Sequence, residues 1–377
     1  MKDQKFDLDD IVLVPNEESD INSRKECQVE KMFNFNKNDS VLTLPLIASP
    51  MDTVVSLNNY IFYIQNKIIP CIPRSSNIPI ADLKRDFINE IVHDYSFQAF
   101  GLCEIEKELK SYKKSASHEG EIWEPDFHLY KDALPFYAFP NVLIDIANGH
   151  MKKLISLVKE IKYFWPKMNL MVGNVANPET FVNLGMAGAD CVRASVGTGA
   201  GCTTAANVSI NYPLGSLISE CYELRKQYGL KTKIVADGGM RNYSDIIKAL
   251  GLGADYVMCG SIFNKAIESA GFNYLWKMRI NNKTAELLWR YGFPIKKKYR
   301  GMSTKAVQRS WGKTQLVTAE GITKYQKVEY TLEQWTENFK DYLRSAMSYC
   351  NAKNLDEFIG KAQYIFLTES ARRRFEK

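Results

Sequence analysis

The chain has 377 residues, 45% hydrophobic and 24% charged, enough apolar material for a large core and the wrong composition for a disordered or collagenous protein. Its 49 Lys and Arg against 43 Asp and Glu leave a net charge of +6, too thinly spread to mark a nucleic-acid binder. No apolar run approaches the roughly 18 residues of a membrane span, and the opening MKDQKFDLDD lacks the apolar stretch of a secretory signal, so a cytoplasmic protein with no membrane partner is expected.

In chain order, residues 1–40 form a lead-in segment. Short apolar runs then predict strands at Leu44–Ala48, Ile68–Ile72, Phe97–Leu102, Val142–Ile146, Asn169–Val172, Asp190–Ala194, Lys233–Ala236 and Tyr256–Cys259. Several are continuous rather than alternating, as in strands buried on both faces. Helical spacing falls between them at His150–Phe164, Pro178–Met186, Pro213–Tyr228 and Tyr243–Leu250. Alternation of eight strands with helices predicts an α/β fold, a (β/α)8 TIM barrel formed as a single catalytic domain over 1–377. Residues 271–327 form a long loop or flap after the eighth strand, and 332–377 a closing helix, Leu332–Tyr349, and tail. The runs Lys296–Lys298 and Arg372–Arg374 read as solvated surface. The eight cysteines contain no C-x-x-C pair and the four histidines lie far apart, so no zinc site is expected and most thiols read as reduced core residues.

Barrel enzymes carry their chemistry at the C-terminal ends of the strands. Those ends read Ser49-Pro50-Met51-Asp52-Thr53, Pro73-Arg74-Ser75, Asp145 to His150, Gly173-Asn174-Val175, Gly197 to Thr204, Asp237-Gly238-Gly239 and Cys259-Gly260-Ser261. Glycine turns after strands seven and eight suit a phosphate, because the backbone can approach its oxygens closely. The alternative is that they only make tight turns. Cys202 lies in a loop rich in glycine and hydroxyls, where backbone N–H groups can stabilise a thiolate, the nucleophilic form. For Asp52 and Asp145 the competing reading is helix capping, and for Glu320 a solvated surface carboxylate.

GTGAGCTT, ADGGM, GADYVMCGS and YRGMS together, with SPMDTV and LRSAMSY adding to them, resemble the IMP dehydrogenase/GMP reductase family, over nearly the whole chain from FDLDDIVLVP to the terminal helix. The reductase branch is favoured by the lack of room for an inserted regulatory domain pair, by INSRKEC at 21–27, by IDIANGH around Asp145 and by the short stretch from Met302 to Glu320. SPMDTV, YRGM and Arg309 in QRSW are closer to the dehydrogenase, which converts IMP to XMP with NAD. Arg74 stands where many relatives have Lys or His, and Ala200-Gly201 where they carry a serine and a bulkier residue.

The resemblance implies NADPH-dependent reductive deamination of GMP to IMP and ammonia through a thioimidate on Cys202. It implies that Thr204 and Glu320 control the proton that leaves with ammonia. Asp145, Asn148, Gly149 and Arg74 would contact the cofactor. Asp237, Gly238, Gly239, Gly260, Ser261, Tyr299, Gly301, Met302 and Ser303 would bind the purine nucleotide, with Asp52 a positioning residue. A K+ ion at Gly197, Gly199 and Cys202, and a homotetramer or octamer, are also implied. Two other classes compete: an FMN-dependent barrel oxidoreductase, which needs no thiol in the sixth loop, and a non-catalytic RNA-binding barrel.

Overall fold

The computed structural model describes residues 4–36, 39–74, 95–116, 136–199, 201, 203–310 and 321–375. Strand β1 (Ile11–Leu13) and the antiparallel hairpin of β2 (Lys31–Asn36) and β3 (Asp39–Thr43) precede the barrel. The barrel strands are β4 (Leu46–Ala48), β5 (Ile69–Ile72), β6 (Phe97–Phe100), β7 (Asn141–Asp145), β8 (Asn169–Val175), β9 (Cys191–Ala194), β10 (Lys233–Asp237) and β11 (Tyr256–Cys259). All eight predicted strands are present. They pair in parallel and in chain order, and the circle closes where β11 meets β4 through Val257–Leu46, Met258–Ile47 and Cys259–Ala48.

The continuous apolar runs follow from two cores. Ile47, Ile69, Phe97, Leu143, Met171, Cys191, Val235 and Tyr256 point into the barrel, while Leu46, Val142, Ile144, Val172, Ile234 and Ala236 face the surrounding helices. Alternation with a period of two therefore finds an apolar partner on either side. Phe33 and Phe35 of the hairpin join the inner cluster. Helix Lys152–Phe164 buries Leu154, Leu157, Val158 and Ile161, spaced for one face. Asn177 and Asn242 cap helices Pro178–Met186 and Tyr243–Leu252, each accepting the N–H three residues on.

The segment after β11 has secondary structure of its own. Strands β12 (Asn273–Leu275), β13 (Met278–Ile280), β14 (Ile295–Arg300) and β15 (Thr323–Lys327) form an antiparallel sheet in the order β13-β12-β14-β15. Helix Asn282–Arg290 adds Ala285 to a small core with Leu275, Ile295 and Val328. The lysine run sits in β14, and its middle member is not on the surface. Lys297 is fully buried and donates to the carbonyls of Ser269 at 2.6 Å and Gly271 at 3.3 Å. Helix Leu332–Tyr349 packs Trp335, Phe339, Leu343 and Met347 on the barrel, and β16 (Tyr364–Phe366) pairs antiparallel with β1.

Among the described residues, no helix is long and apolar enough to cross a membrane.

Candidate active site at the strand ends

Two residues beyond the inner apolar layer, the barrel lining turns polar. Leu143, Met171, Cys191 and Val235 face inward, so the same side of each strand presents Asp145, Gly173, Arg193 and Asp237 next. Arg193 bridges the two carboxylates. Its Nη1 lies 2.6 Å from Asp145 Oδ1, and its Nε and Nη2 lie 3.1 and 2.8 Å from Asp237 Oδ2. Asn174 Nδ2 donates to the same Asp237 oxygen at 2.6 Å. Burial alone would lower the affinity of the guanidinium for its proton, but the two aspartates outweigh it and raise it. Gly173 is glycine because the arginine stem occupies the space a side chain would need: a Cβ there would lie 2.6 Å from Arg193 Cβ.

These contacts decide the capping question for Asp145, whose carboxylate holds Arg193; helix Lys152–Phe164 begins at Met151 with no side-chain cap. Arg74, from the end of β5, brings Nη1 within 3.5 Å of the Asp145 carbonyl oxygen and lies across Gly101. Gly149 donates to the Asn174 carbonyl at 2.8 Å, so close that a Cβ would sit 2.5 Å from that oxygen. Asn148 is exposed and accepts the His150 N–H. His150 takes the Ala176 N–H on Nε2 and meets Thr180 Oγ1 through Nδ1, both at 3.0 Å, which requires the neutral ring; burial lowers its pKa accordingly.

The glycine turns lie on neighbouring strands. Gly238 and Gly239 have φ of +83° and +81°, and Thr198 packs on both. Gly199 also touches Gly238, bringing the loop after β9 to the loop after β10. Beside them, the space over Gly260 is bounded by Met51 Sδ at 2.9 Å and by Ser49 Oγ and Tyr299 Oη, each at 3.4 Å. Ser261 begins the short helix Ser261–Asn264.

Asp52 is no cap either. It forms a two-oxygen ion pair with Arg300, with Nε 3.1 Å from both carboxylate oxygens and Nη2 on Oδ2.

Cys202, Glu320, Ala200 and Ser75 lie outside the described residues. The chain neighbours of the first two are described, and they converge. Gly201 and Gly321 both pack against Gly301; the Ile322 N–H donates to the Gly201 carbonyl at 3.0 Å and the Gly301 N–H to the Ile322 carbonyl at 2.9 Å. A Cβ at Gly201 would stand 3.1 Å from the Tyr299 ring and the Gly301 nitrogen, which explains why a bulkier residue is absent there. Thr204 opens the helix Thr204–Val208, Met302 is half-buried, and Ser303 Oγ lies beside Gly321. Gly197, at φ +82°, packs on Ala205.

Arg193, which bridges the two aspartates, was not singled out in the sequence, and Asn174, which also donates to Asp237, was named there only as part of a strand end. A signal for Arg193 was present: one charge inside an apolar strand, at the inward-facing parity.

A closed parallel barrel with a polar layer and converging glycine loops at the C-terminal strand ends defines a (β/α)8-barrel enzyme. A family model described as "IMP dehydrogenase / GMP reductase domain" matches residues 133–376. GMP reductase 1 of Mus musculus is 27% identical over 369 residues, covering 97% of this chain and 96% of that protein. GMP reductase 1 of Homo sapiens is 28% identical over the same length, with the same coverage. The GMP reductase of Shigella boydii serotype 18 is 27% identical over 381 residues, covering 99% and 98%. The chain belongs to the IMP dehydrogenase/GMP reductase family, and with it to the oxidoreductases.

Proposed function

We propose that the protein reduces GMP with NADPH, releasing ammonia and IMP, through a covalent adduct on Cys202. The observation that carries this is the convergence of Gly201 and Gly321, the neighbours of Cys202 and Glu320, on Gly301 beside Tyr299. The full-length similarity to proteins named GMP reductase supports the same branch.

An amine on a purine ring is a poor leaving group, so a covalent route splits the reaction into easier steps. Cys202 adds to C2, and Thr204 with Glu320 delivers the proton that lets ammonia depart. Asp237, held by Arg193 and Asn174, accepts from the ribose hydroxyls. Gly238, Gly239, Gly260, Ser261 and Tyr299 surround the phosphate, and Gly301, Met302 and Ser303 offer backbone groups to the base. The nicotinamide cofactor, when bound, would supply hydride to C2. The Cys202 thiolate then leaves C2 as IMP forms. The cofactor's donor set fits this mouth of the barrel: Asp145 and Arg74 adjoin each other, and Gly149 leaves a cradle that a Cβ would fill. Carbonyls of Gly197, Gly199 and Cys202 would hold K+, and exchange of K+ for Li+ should then slow turnover. Cytoplasmic location and a homotetrameric assembly complete the reading.

The dehydrogenase reading rests on Arg309, exposed on helix Lys305–Ser310, as the group that activates water. One paired assay separates the two: GMP with NADPH against IMP with NAD, followed at the nicotinamide absorbance. Glu320→Gln should slow GMP deamination by about 10²-fold or more. Dependence on Arg309 instead, with no consumption of GMP, would replace the reductase by the dehydrogenase.

A further inference from the structure

Asp52 and Arg300 stand 248 residues apart in sequence, on the loop after β4 and at the end of β14. Nothing local brings them together, yet the arginine fork engages both carboxylate oxygens, and each side chain is only 20% exposed. A two-point contact of this kind fixes orientation as well as distance, which a single-point surface pair does not. The direction of the Arg300 titration agrees, its hydrogen bonds to Asp52 raising it from its ordinary value.

Both partners adjoin residues that meet each other. On one side is Met51, next to Asp52, with Ser49 two residues before it. On the other are Tyr299 and Gly301, the neighbours of Arg300. Tyr299 Oη lies 3.7 Å from Met51 Sδ, and Met51, Ser49 and Tyr299 together enclose the space above Gly260. Gly301 in turn touches Gly201 and Gly321. The position of the β14 end against the first barrel loop therefore sets the phosphate wall and the seat of the Cys202 loop together.

We propose that Asp52 and Arg300 form a positioning latch that holds the end of the β14–β15 sheet over the barrel mouth and thereby sets affinity for the nucleotide rather than for the cofactor. Because its Nε and Nη2 are both spent on the two oxygens of Asp52, Arg300 is a fastening for the wall and not the cation that meets the substrate phosphate. Neutral donors, Ser49, Ser261, Tyr299 and the glycine N–H groups, are left to that task. The inference rests on the reading of this mouth as a purine-nucleotide site.

The test has two readouts on the intact protein. Hydrogen exchange at Gly301 and Ile322, whose amides bond to Ile322 and Gly201 carbonyls, reports the latch without any ligand. Steady-state kinetics report its consequence. Asp52→Asn and Arg300→Gln should each speed exchange at both amides and raise the KM for GMP about tenfold, a ratio well inside what one lost ion pair can produce. The KM for NADPH should stay within about twofold. The swapped double variant, Asp52→Arg with Arg300→Asp, should recover most of both effects, and it separates a lost latch from a misfolded loop. Unchanged exchange, equal rises in both KM values, or no recovery in the swap would overturn the proposal. If the wild-type protein binds neither GMP nor IMP, the nucleotide reading fails, and with it the affinity half of the inference. The exchange data then decide the latch alone.

Discussion

At the scale of single residues, Arg193 shows how a buried charge becomes tolerable. It sits 6% exposed between Asp145 and Asp237, and the three charges satisfy one another where none could stand alone. Arg193→Lys keeps the charge but cannot reach both aspartates with a fork, so loss of activity out of proportion to loss of stability is expected. Arg193→Ala leaves two carboxylates facing each other and should cost about 3–5 kcal/mol, read as a lowered denaturation midpoint. The cysteines supply a second residue-scale test. Burial pushes the thiols of Cys71 and Cys259 far up, whereas Cys103 is exposed on helix Leu102–Ala116. A thiol reagent should therefore label Cys202 and Cys103 and spare Cys71 and Cys259 in the folded protein. GMP should protect Cys202 alone. Labelling of Cys71 before Cys202 would sink its assignment as nucleophile.

At the scale of elements, Lys297 ties β14 to the turn that follows β11, and its burial sets a pH dependence. Desolvation lowers its pKa from 10.5 to about 7, with Glu268 opposing. Between those values the unfolded chain holds a proton that the folded one has released. The contribution to stability is complete above about 10.5 and is lost as pH falls to about 7. Lys297→Met removes this term and orphans two buried carbonyls, at about 1–3 kcal/mol each. The midpoint difference between wild type and variant should widen from pH 7 to pH 9. A difference independent of pH would mean that the ammonium stays charged in the fold. This strand also marks where the sequence was hard to read. The eight barrel strands were legible because their apolar runs serve two cores at once, a pattern with no polar face to confuse. In β14 the apolar stem and hydrogen-bonded head of Lys297 occupy an inward position, and hydropathy alone cannot separate that from a solvated lysine run. The glycine turns were legible as turns, since φ of +83° and +81° excludes most other residues. The Arg193 bridge and the Asp52–Arg300 pair were not, because a pairing across 44 or 248 residues leaves no local spacing to find.

At the scale of the whole molecule, the outer face of the barrel is closed by segments distant in sequence. The Tyr222 ring fills the space above Gly253, φ +123°, and above Gly360, φ +70°, and the Gly360 N–H bonds to the Leu250 carbonyl at 3.1 Å. Gly360→Ala would combine a left-handed backbone with a methyl group driven into that ring. A loss of at least about 1–3 kcal/mol is expected, with faster proteolysis beyond Leu355 and little change in turnover. Intact resistance to protease would show that this contact does not anchor the segment. Just beyond it, β16 pairs with β1 through Ile11–Phe366, Val12–Ile365 and Leu13–Tyr364, and the Leu367 N–H reaches the Asp10 carbonyl. Synthesis proceeds from one of these strands to the other only after some 350 residues have been made, at about 5–20 residues per second. On the ribosome, Ile11 and its neighbours must then wait tens of seconds for their partner, exposed to chaperones or to another nascent chain. Maturation of this enzyme in the cell is thus gated late: a strand made early is sealed by one made some 350 residues after it.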